Sequence, residues 1–357
     1  MPIMPDRRAF LSVTGQNENE KGLIKDGQSI MAGEDVAKTG VCQMETAVKL
    51  VEHTFQLFDR GEARIAEESA LRIHGDGVDQ ACYALPAYVG GNCDVCGVKW
   101  TAHGAFADIK EDVSRIQAAV VLSRPDRGTP LAVMNGTRIG AARTGAVTAL
   151  ALSSLAPEHV GKVAICGAGG QAVQQLQAVF HALPQAREVA VWSRGQVRAR
   201  QLVCRFQQEA PMRLYAASTV DAAVEGADVI IGVTSAPEPY LTARRVQSAS
   251  LYCHVGYHEI TSEAVSCFSH VVADTWEEAK NVSGQSLFRY YRSGQFPEQR
   301  LTGTLGAVLS GRLSVPRGTR EEKVLFDAFG LPVFDISLAK EAYIRAKAEG
   351  LGMELWW

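Results

Sequence analysis

The stretch Val163-Ala-Ile-Cys-Gly-Ala-Gly-Gly-Gln-Ala172 carries residues whose spacing can do chemistry. Gly167, Gly169 and Ala172 give the G-x-G-x-x-A pattern of a dinucleotide-binding turn. The first glycine permits a tight strand-to-helix turn, and the second lets a pyrophosphate approach the backbone. The small third residue allows close helix–strand packing, with the phosphate at the helix N-terminus. The pattern follows a short apolar run rich in β-favouring residues and opens a helical one, the context that such a turn needs. Gly167, Ala168, Gly169, Gly170 and Gln171 are therefore the expected cofactor contacts.

The second strand of the same unit reads Val189-Ala-Val-Trp-Ser193-Arg194 and ends without an acid. An acid at that place holds a ribose 2′-hydroxyl, whereas an arginine accommodates a 2′-phosphate. Ser193 can donate to such a phosphate, and Arg194 can pair with it and stack on adenine. NADP(H) is thereby favoured; if Arg194 is a solvated loop residue, NAD(H) serves equally. Thr234 and Ser235 follow the strand after Asp228, where a ligand crosses the sheet's carboxyl edge. They either contact the cofactor or cap the next helix. His258 and Glu259, in the loop His254-Val-Gly256-Tyr257-His258-Glu259, are the candidates for proton transfer.

These residues require a Rossmann unit, and strands and helices alternate from Gly161 to about Val272 as a doubly wound parallel sheet demands. Strands are expected at 163–166, 188–193, 229–234, 250–255 and 270–273. The preceding part is α+β in character, with helical spacing over 34–60 and then apolar runs split by glycine. Pro125-Asp-Arg-Gly128 marks a turn between two antiparallel strands. The expected division is a loose extension at 1–26, a substrate-binding and dimerisation domain from 27–150 plus 318–357, and a Rossmann domain at 151–317.

With 46% hydrophobic and 21% charged residues and a net charge of −3, the chain reads as a globular protein without the clustered basic charge of a nucleic-acid binder. No apolar run approaches the roughly 20 residues of a membrane span. The N-terminus lacks the apolar core of a secretion signal, so a cytoplasmic location is expected. Eight irregularly spaced cysteines argue against a disulfide framework. Cys93 and Cys96 form the one close pair, with no second ligand pair to complete a zinc site, so no metal is expected.

Met134-Asn-Gly-Thr-Arg-Ile-Gly-Ala-Ala-Arg143-Thr144 places an Arg-Thr pair at the start of an alanine-rich helix. Here the chain resembles the ornithine cyclodeaminase/mu-crystallin family. Leu85-Pro-Ala-Tyr, Gly97-Val-Lys99, the glycine turn, Gly226-Ala-Asp-Val-Ile-Ile and Gly330-Leu-Pro-Val-Phe-Asp335 extend the likeness over about residues 28–350. The resemblance implies a homodimer in which an α+β substrate domain is built from both chain ends around a Rossmann domain. It implies hydride transfer at the Cα of an amino-acid-derived small molecule, through an imine. Arg72, Lys99 and Arg143 match the positions that hold the substrate carboxylate, Lys99 also at the reacting centre, and Thr144 is expected beside the cofactor. A buried carboxylate needs such charge-assisted donors.

One position departs from the family pattern. A Gly-x-Asp loop that supplies a catalytic acid in cyclodeaminases reads Gly256-Tyr257-His258 here. The first domain is most similar to the branch that oxidises N-(1-amino-1-carboxyethyl)-glutamate in siderophore biosynthesis. The leading expectation is an NAD(P)-dependent oxidoreductase acting on a Cα–N bond, as an imine reductase or an opine-like dehydrogenase. The alternatives are a cyclodeaminase lyase that recycles its NAD and a mu-crystallin-like NADPH-binding protein.

Overall fold

The computed structural model describes residues 28–73, 81–104 and 116–355; the extension expected at 1–26, and Trp356 and Trp357, lie outside them. Over these residues the chain builds two eight-stranded sheets. The first begins with β1 (Gln28–Met31) and two helices, α1 (Gly33–Lys38) and α2 (Met44–Asp59). The helical spacing expected over 34–60 is split because Gly40 takes a left-handed φ of 72°, which ends the first helix cheaply. α2 buries Ala47, Val51, Phe55 and Leu57 on one face.

There follow β2 (Ala63–Ile65), β3 (Ser69–Arg72), β4 (Ala81–Val89), β5 (Val95–His103), β6 (Ile116–Ser123) and β7 (Pro130–Asn135). The expected hairpin joins β6 to β7, with Gly128 at φ 67° in its turn. α3 (Thr137–Leu155) then leads into the second domain. Strand order in the first sheet is β16-β1-β7-β6-β5-β4-β2, with β3 also on β4.

The Rossmann unit contains β8 (Lys162–Cys166), α4 (Gly170–Ala182), β9 (Glu188–Trp192), α5 (Val197–Phe206), β10 (Arg213–Ala216), α6 (Val220–Val224) and β11 (Val229–Gly232). It continues with β12 (Leu251–His254), α7 (Ser262–Val265), β13 (His270–Ala273), α8 (Ser286–Arg292), β14 (Leu301–Thr304), α9 (Leu305–Leu309) and β15 (Val324–Asp327). Its order is β10-β9-β8-β11-β12-β15-β13-β14, and every pairing is parallel. Parallel strands covered on both faces read as apolar runs, and β8, β11 and β12 are buried almost throughout.

The second boundary expected at 318 is corrected here. β15 inserts between β12 and β13, so 324–327 belongs to the Rossmann sheet. Only α10 (Pro332–Glu349) and β16 (Met353–Leu355) return to the first domain, where β16 pairs antiparallel with β1. Four buried residues after a polar stretch identify a strand but not its sheet position. α10 crosses the inner face of the first sheet, over β4, β5 and β6, and packs on α2. No helix among the described residues is long and apolar enough to cross a membrane.

Candidate active site

The glycine turn forms as its spacing requires. Gly167 has φ 130°, and a Cβ there would lie 2.7 Å from the Val233 carbonyl oxygen, so a side chain is excluded on both counts. Around Gly169 and Gly170 a Cβ would meet no atom within 4 Å. The N-terminus of α4 thus opens onto free space, without a side-chain cap, and its N–H groups are available to a pyrophosphate. Gln171 Oε1 and Ser193 Oγ are buried without a hydrogen-bond partner among the described residues, and Arg194 beside Ser193 is exposed. This open cradle with orphaned polar atoms at its rim fits a dinucleotide.

Two expected cofactor contacts are otherwise engaged. The Thr144 hydroxyl donates to the Gly140 carbonyl at 2.9 Å, one turn back in α3. Thr234 gives both its backbone N–H (2.7 Å) and its hydroxyl (2.6 Å) to Glu259 Oε1. Ser235 is exposed, and no helix begins after it, so the helix-cap reading of this pair fails.

The carboxylate-binding candidates converge on an acid in α10. Lys99 Nζ donates to Asp335 Oδ2 at 2.8 Å, and Arg143 Nε lies 3.2 Å from the same oxygen, too far off-axis for a hydrogen bond. Lys99 is 5% exposed and Asp335 is fully buried. Burial holds the Lys99 ammonium below its ordinary value, Asp335 works against that, and Arg143 adds to it.

Local sequence explains the approach. A Cβ at Gly97 would lie 2.5 Å from the Val121 carbonyl and 2.9 Å from Ile336, so only glycine lets α10 come this close to β5. Gly330, at φ 98°, packs against the Arg143 guanidinium, 2.5 Å from where its Cβ would be. The first turn of α10 also presents its positive end to Asp335.

Two cations on one carboxylate leave a positive excess, and no hydrogen-bond acceptor among the described residues takes the Arg143 guanidinium. Arg72 ends β3 on the same sheet face as Lys99, through the pairs Arg72–Ala81 and Leu85–Lys99, but its side chain is exposed and does not join the cluster. Glu68 lies between them: burial raises its carboxyl, and the nearby Arg72 and Lys99 pull it back.

The proton-transfer candidates separate. Glu259 is fully buried; its Oε1 accepts from Thr234 and from Tyr240 Oη at 3.0 Å, and burial raises its carboxyl. It is turned into the sheet edge rather than toward open space. A Cβ on Gly232 would lie 2.5 Å from Glu259 Oε2, and one on Gly256 would collide with the same carboxylate. His258 is half-buried, with Nδ1 3.0 Å from Ser286 Oγ, which also accepts from the Glu259 N–H. The serine hydroxyl supports either ring tautomer by turning its proton. Burial, and then the Arg289 guanidinium, hold the His258 ring below its ordinary value.

Sequence reasoning missed the acids that brace these groups. Asp335 stood in the tail motif without a role. Asp274 accepts from the Phe329 (3.0 Å) and Gly330 (2.7 Å) N–H groups and so fixes the turn under Arg143; burial pushes its carboxyl up to about 7. Asp327, at the end of β15, holds His254 Nδ1 at 2.6 Å beside Glu259. Each follows an apolar strand or opens an apolar helix, the only signal available. The Cys93–Cys96 pair is not an activated thiol site, since burial pushes the Cys93 thiol up to about 11.

Comparison with known proteins adds four findings. The ornithine cyclodeaminase/mu-crystallin family model matches residues 29–350. The N-((2S)-2-amino-2-carboxyethyl)-L-glutamate dehydrogenase of Staphylococcus aureus is 26% identical over 274 residues, 76% of this chain and 81% of the relative. The ketimine reductase mu-crystallin of Mus musculus is 33% identical over 232 residues, 64% of this chain and 69% of the relative. Among solved structures, Δ1-pyrroline-2-carboxylate reductase of Thermococcus litoralis, in complex with NADH and L-proline, superposes with a TM-score of 0.84. It is 25% identical, and the match covers 92% of this chain and all of that one.

Proposed function

Because the chain belongs to the ornithine cyclodeaminase/mu-crystallin family, we propose that it is an NAD(P)-dependent oxidoreductase acting on the Cα–N bond of an amino acid or N-substituted amino acid. The observation that carries this reading is the pair of cations, Lys99 buried and Arg143 partly so, sharing Asp335 at the mouth of the dinucleotide fold. Such a pair receives the substrate α-carboxylate and fixes Cα relative to the glycine turn, the orientation that hydride transfer requires. The glycine turn from Gly167 to Gln171 would hold the dinucleotide, and the chemistry supplied there would be hydride exchange at the substrate Cα. Lys99 and Arg143 orient the carboxylate, with Arg72 closing over it from the sheet edge. His258, turned by Ser286, holds or takes the proton on the substrate nitrogen. Glu259 acts through Thr234, positioning the loop after β11.

NADP(H) is the favoured cofactor, with Ser193 and Arg194 at the 2′-phosphate. The outer face of the first sheet supports a homodimer. Register places Met353, Ile30 and Val133 on that face, where Trp100 and Leu71 lie too, and all five are more than 40% exposed. Such a continuous apolar sheet face is characteristically covered by another chain. Its eight thiols are unpaired, in keeping with a reducing cytoplasm.

The test is turnover of cyclic and acyclic imino acids, Δ1-pyrroline-2-carboxylate among them, with NADPH and with NADH. Consumption of reduced nicotinamide matched by formation of the amino acid is expected. Ammonia release from ornithine with no net change in nicotinamide redox state would replace the reading with a lyase.

A further inference from the structure

One cation at the cleft has no counter-ion among the described residues. Arg289, in α8, donates from Nε to the Gly284 carbonyl at 2.6 Å and from Nη2 to Tyr257 Oη at 2.7 Å. Its guanidinium carbon lies 4.8 Å from the centre of the Tyr257 ring. Both hydrogen-bond partners are neutral, and no carboxylate pairs with it among the described residues. Nη1 and the second proton of Nη2 remain, and these form the fork that a carboxylate takes with both oxygens. Arg292, one turn along, is different: its two Nη groups are spent on the Lys280 and Ser283 carbonyls.

Position completes the picture. Tyr257 precedes His258, and its ring packs over Gly284, 2.5 Å from where a Cβ would stand. Across the cleft lies Tyr83, whose phenol is raised by burial first and then by Glu68, with Arg72 opposing and Tyr257 adding to the rise. Tyr83 pairs with Thr101 in β5, so it lies on the sheet face that carries Lys99. Among the described residues, Lys99 and Arg143 meet Asp335, Asp274 lies under Arg143, Glu68 acts on Arg72 and Lys99, and Arg289 pairs with no carboxylate. The unpaired Arg289 guanidinium thus stands apart from the Asp335 cluster that would take the α-carboxylate.

We propose that Arg289, braced by Tyr257, is a second carboxylate subsite, and that the substrate is an amino or imino acid bearing another carboxylate remote from the reacting carbon. This rests on the reading of Lys99 and Arg143 as the α-carboxylate anchor. A half-buried arginine held by a tyrosine hydroxyl and a backbone carbonyl loses little freedom on binding and discriminates against the neutral analogue.

The experiment uses the full chain saturated with NADPH. Affinities for succinate, glutarate and adipate are measured by calorimetry beside butyrate, valerate and hexanoate. In the wild type the best dicarboxylate should bind about tenfold tighter or more than its monocarboxylate counterpart, the scale of one charge-assisted fork. In Arg289→Gln that ratio should collapse toward one, and Arg289→Lys should keep part of it, which a general loss of structure would not produce. A wild-type ratio near one, or a ratio unchanged in Arg289→Gln, overturns the subsite. Arg143→Gln separates the two readings, since it should weaken both ligand series together. If it weakens neither, the anchor fails while the response to Arg289→Gln still decides the subsite. Absence of binding by either series overturns both.

Discussion

Asp335→Asn is the most informative perturbation of the cluster. The carboxylate is fully buried and takes Lys99 Nζ at 2.8 Å and Arg143 Nε at 3.2 Å. Replacing it by an amide leaves the buried Lys99 ammonium without its counter-charge and takes the same carboxylate from Arg143, a change that typically costs about 3–5 kcal/mol. Set against a total of roughly 5–15 kcal/mol, that is a large share of the molecule's stability. It should lower the melting temperature by about 4–7 °C.

Lys99→Met provides the contrast. It removes the ammonium and its desolvation cost together and leaves Asp335 with Arg143 and the α10 N-terminus. Its stability loss should be the smaller of the two, below about 2 kcal/mol. Both variants should lose kcat/KM, Lys99→Met by about 10–100-fold for one charge-assisted contact to the substrate carboxylate. Thermal melts with and without added glutarate, beside steady-state kinetics, read both quantities. Added carboxylate should raise the melting point of Asp335→Asn more than that of the wild type, because it supplies the missing charge. If Asp335→Asn melts with the wild type, or Lys99→Met is the less stable of the pair, the shared-carboxylate account is wrong.

Three further outcomes follow from the same geometry. Arg194→Ala should weaken NADPH by about tenfold while leaving NADH within about twofold, measured by nicotinamide fluorescence; equal losses would remove Arg194 from the 2′-phosphate. In the oxidative direction neutral His258 accepts the proton from nitrogen, so kcat/KM should fall on acidification through an ionisation below the ordinary imidazole value. The limb lies low because burial and Arg289 favour the neutral ring; it should move up in Arg289→Gln and vanish in His258→Gln, and its persistence in the latter would exclude the ring. Trp100→Glu places a charge on the exposed apolar sheet face and should shift the sedimentation profile to monomer, whereas an unchanged oligomer would put the interface elsewhere.

The dinucleotide unit was legible because its constraints are local. Gly167 answers to a single turn, and the apolar runs of β8, β11 and β12 answer to burial on both faces of a parallel sheet. The sequence assigns β15 to the wrong domain, since its position between β12 and β13 is decided by a long-range crossover that leaves no mark in four buried residues. Lys99 and Arg143 were legible through the family resemblance, together with the cost of an ammonium in an apolar run. Their shared partner lies 236 residues from Lys99, and only the packing of α10 on Gly97 brings it there. Glu259 illustrates the opposite limit. Its neighbour to His258 in sequence made it an equal candidate, but alternate side chains leave a loop in different directions, and Gly232 and Gly256 make room for this carboxylate under the sheet edge. Asp274 and Asp327 end apolar strands, a place where an acid is as readily a solvated terminus as a buried brace.

The most direct test of hydride transfer at Cα is the fate of a label. NADPH deuterated at C4 on the transferred face would be turned over with an imino acid, and the amino-acid product examined by NMR and mass spectrometry. The account predicts one deuterium, bound at Cα. A product formed without deuterium at Cα, or label recovered wholly in the nicotinamide after turnover, would contradict it.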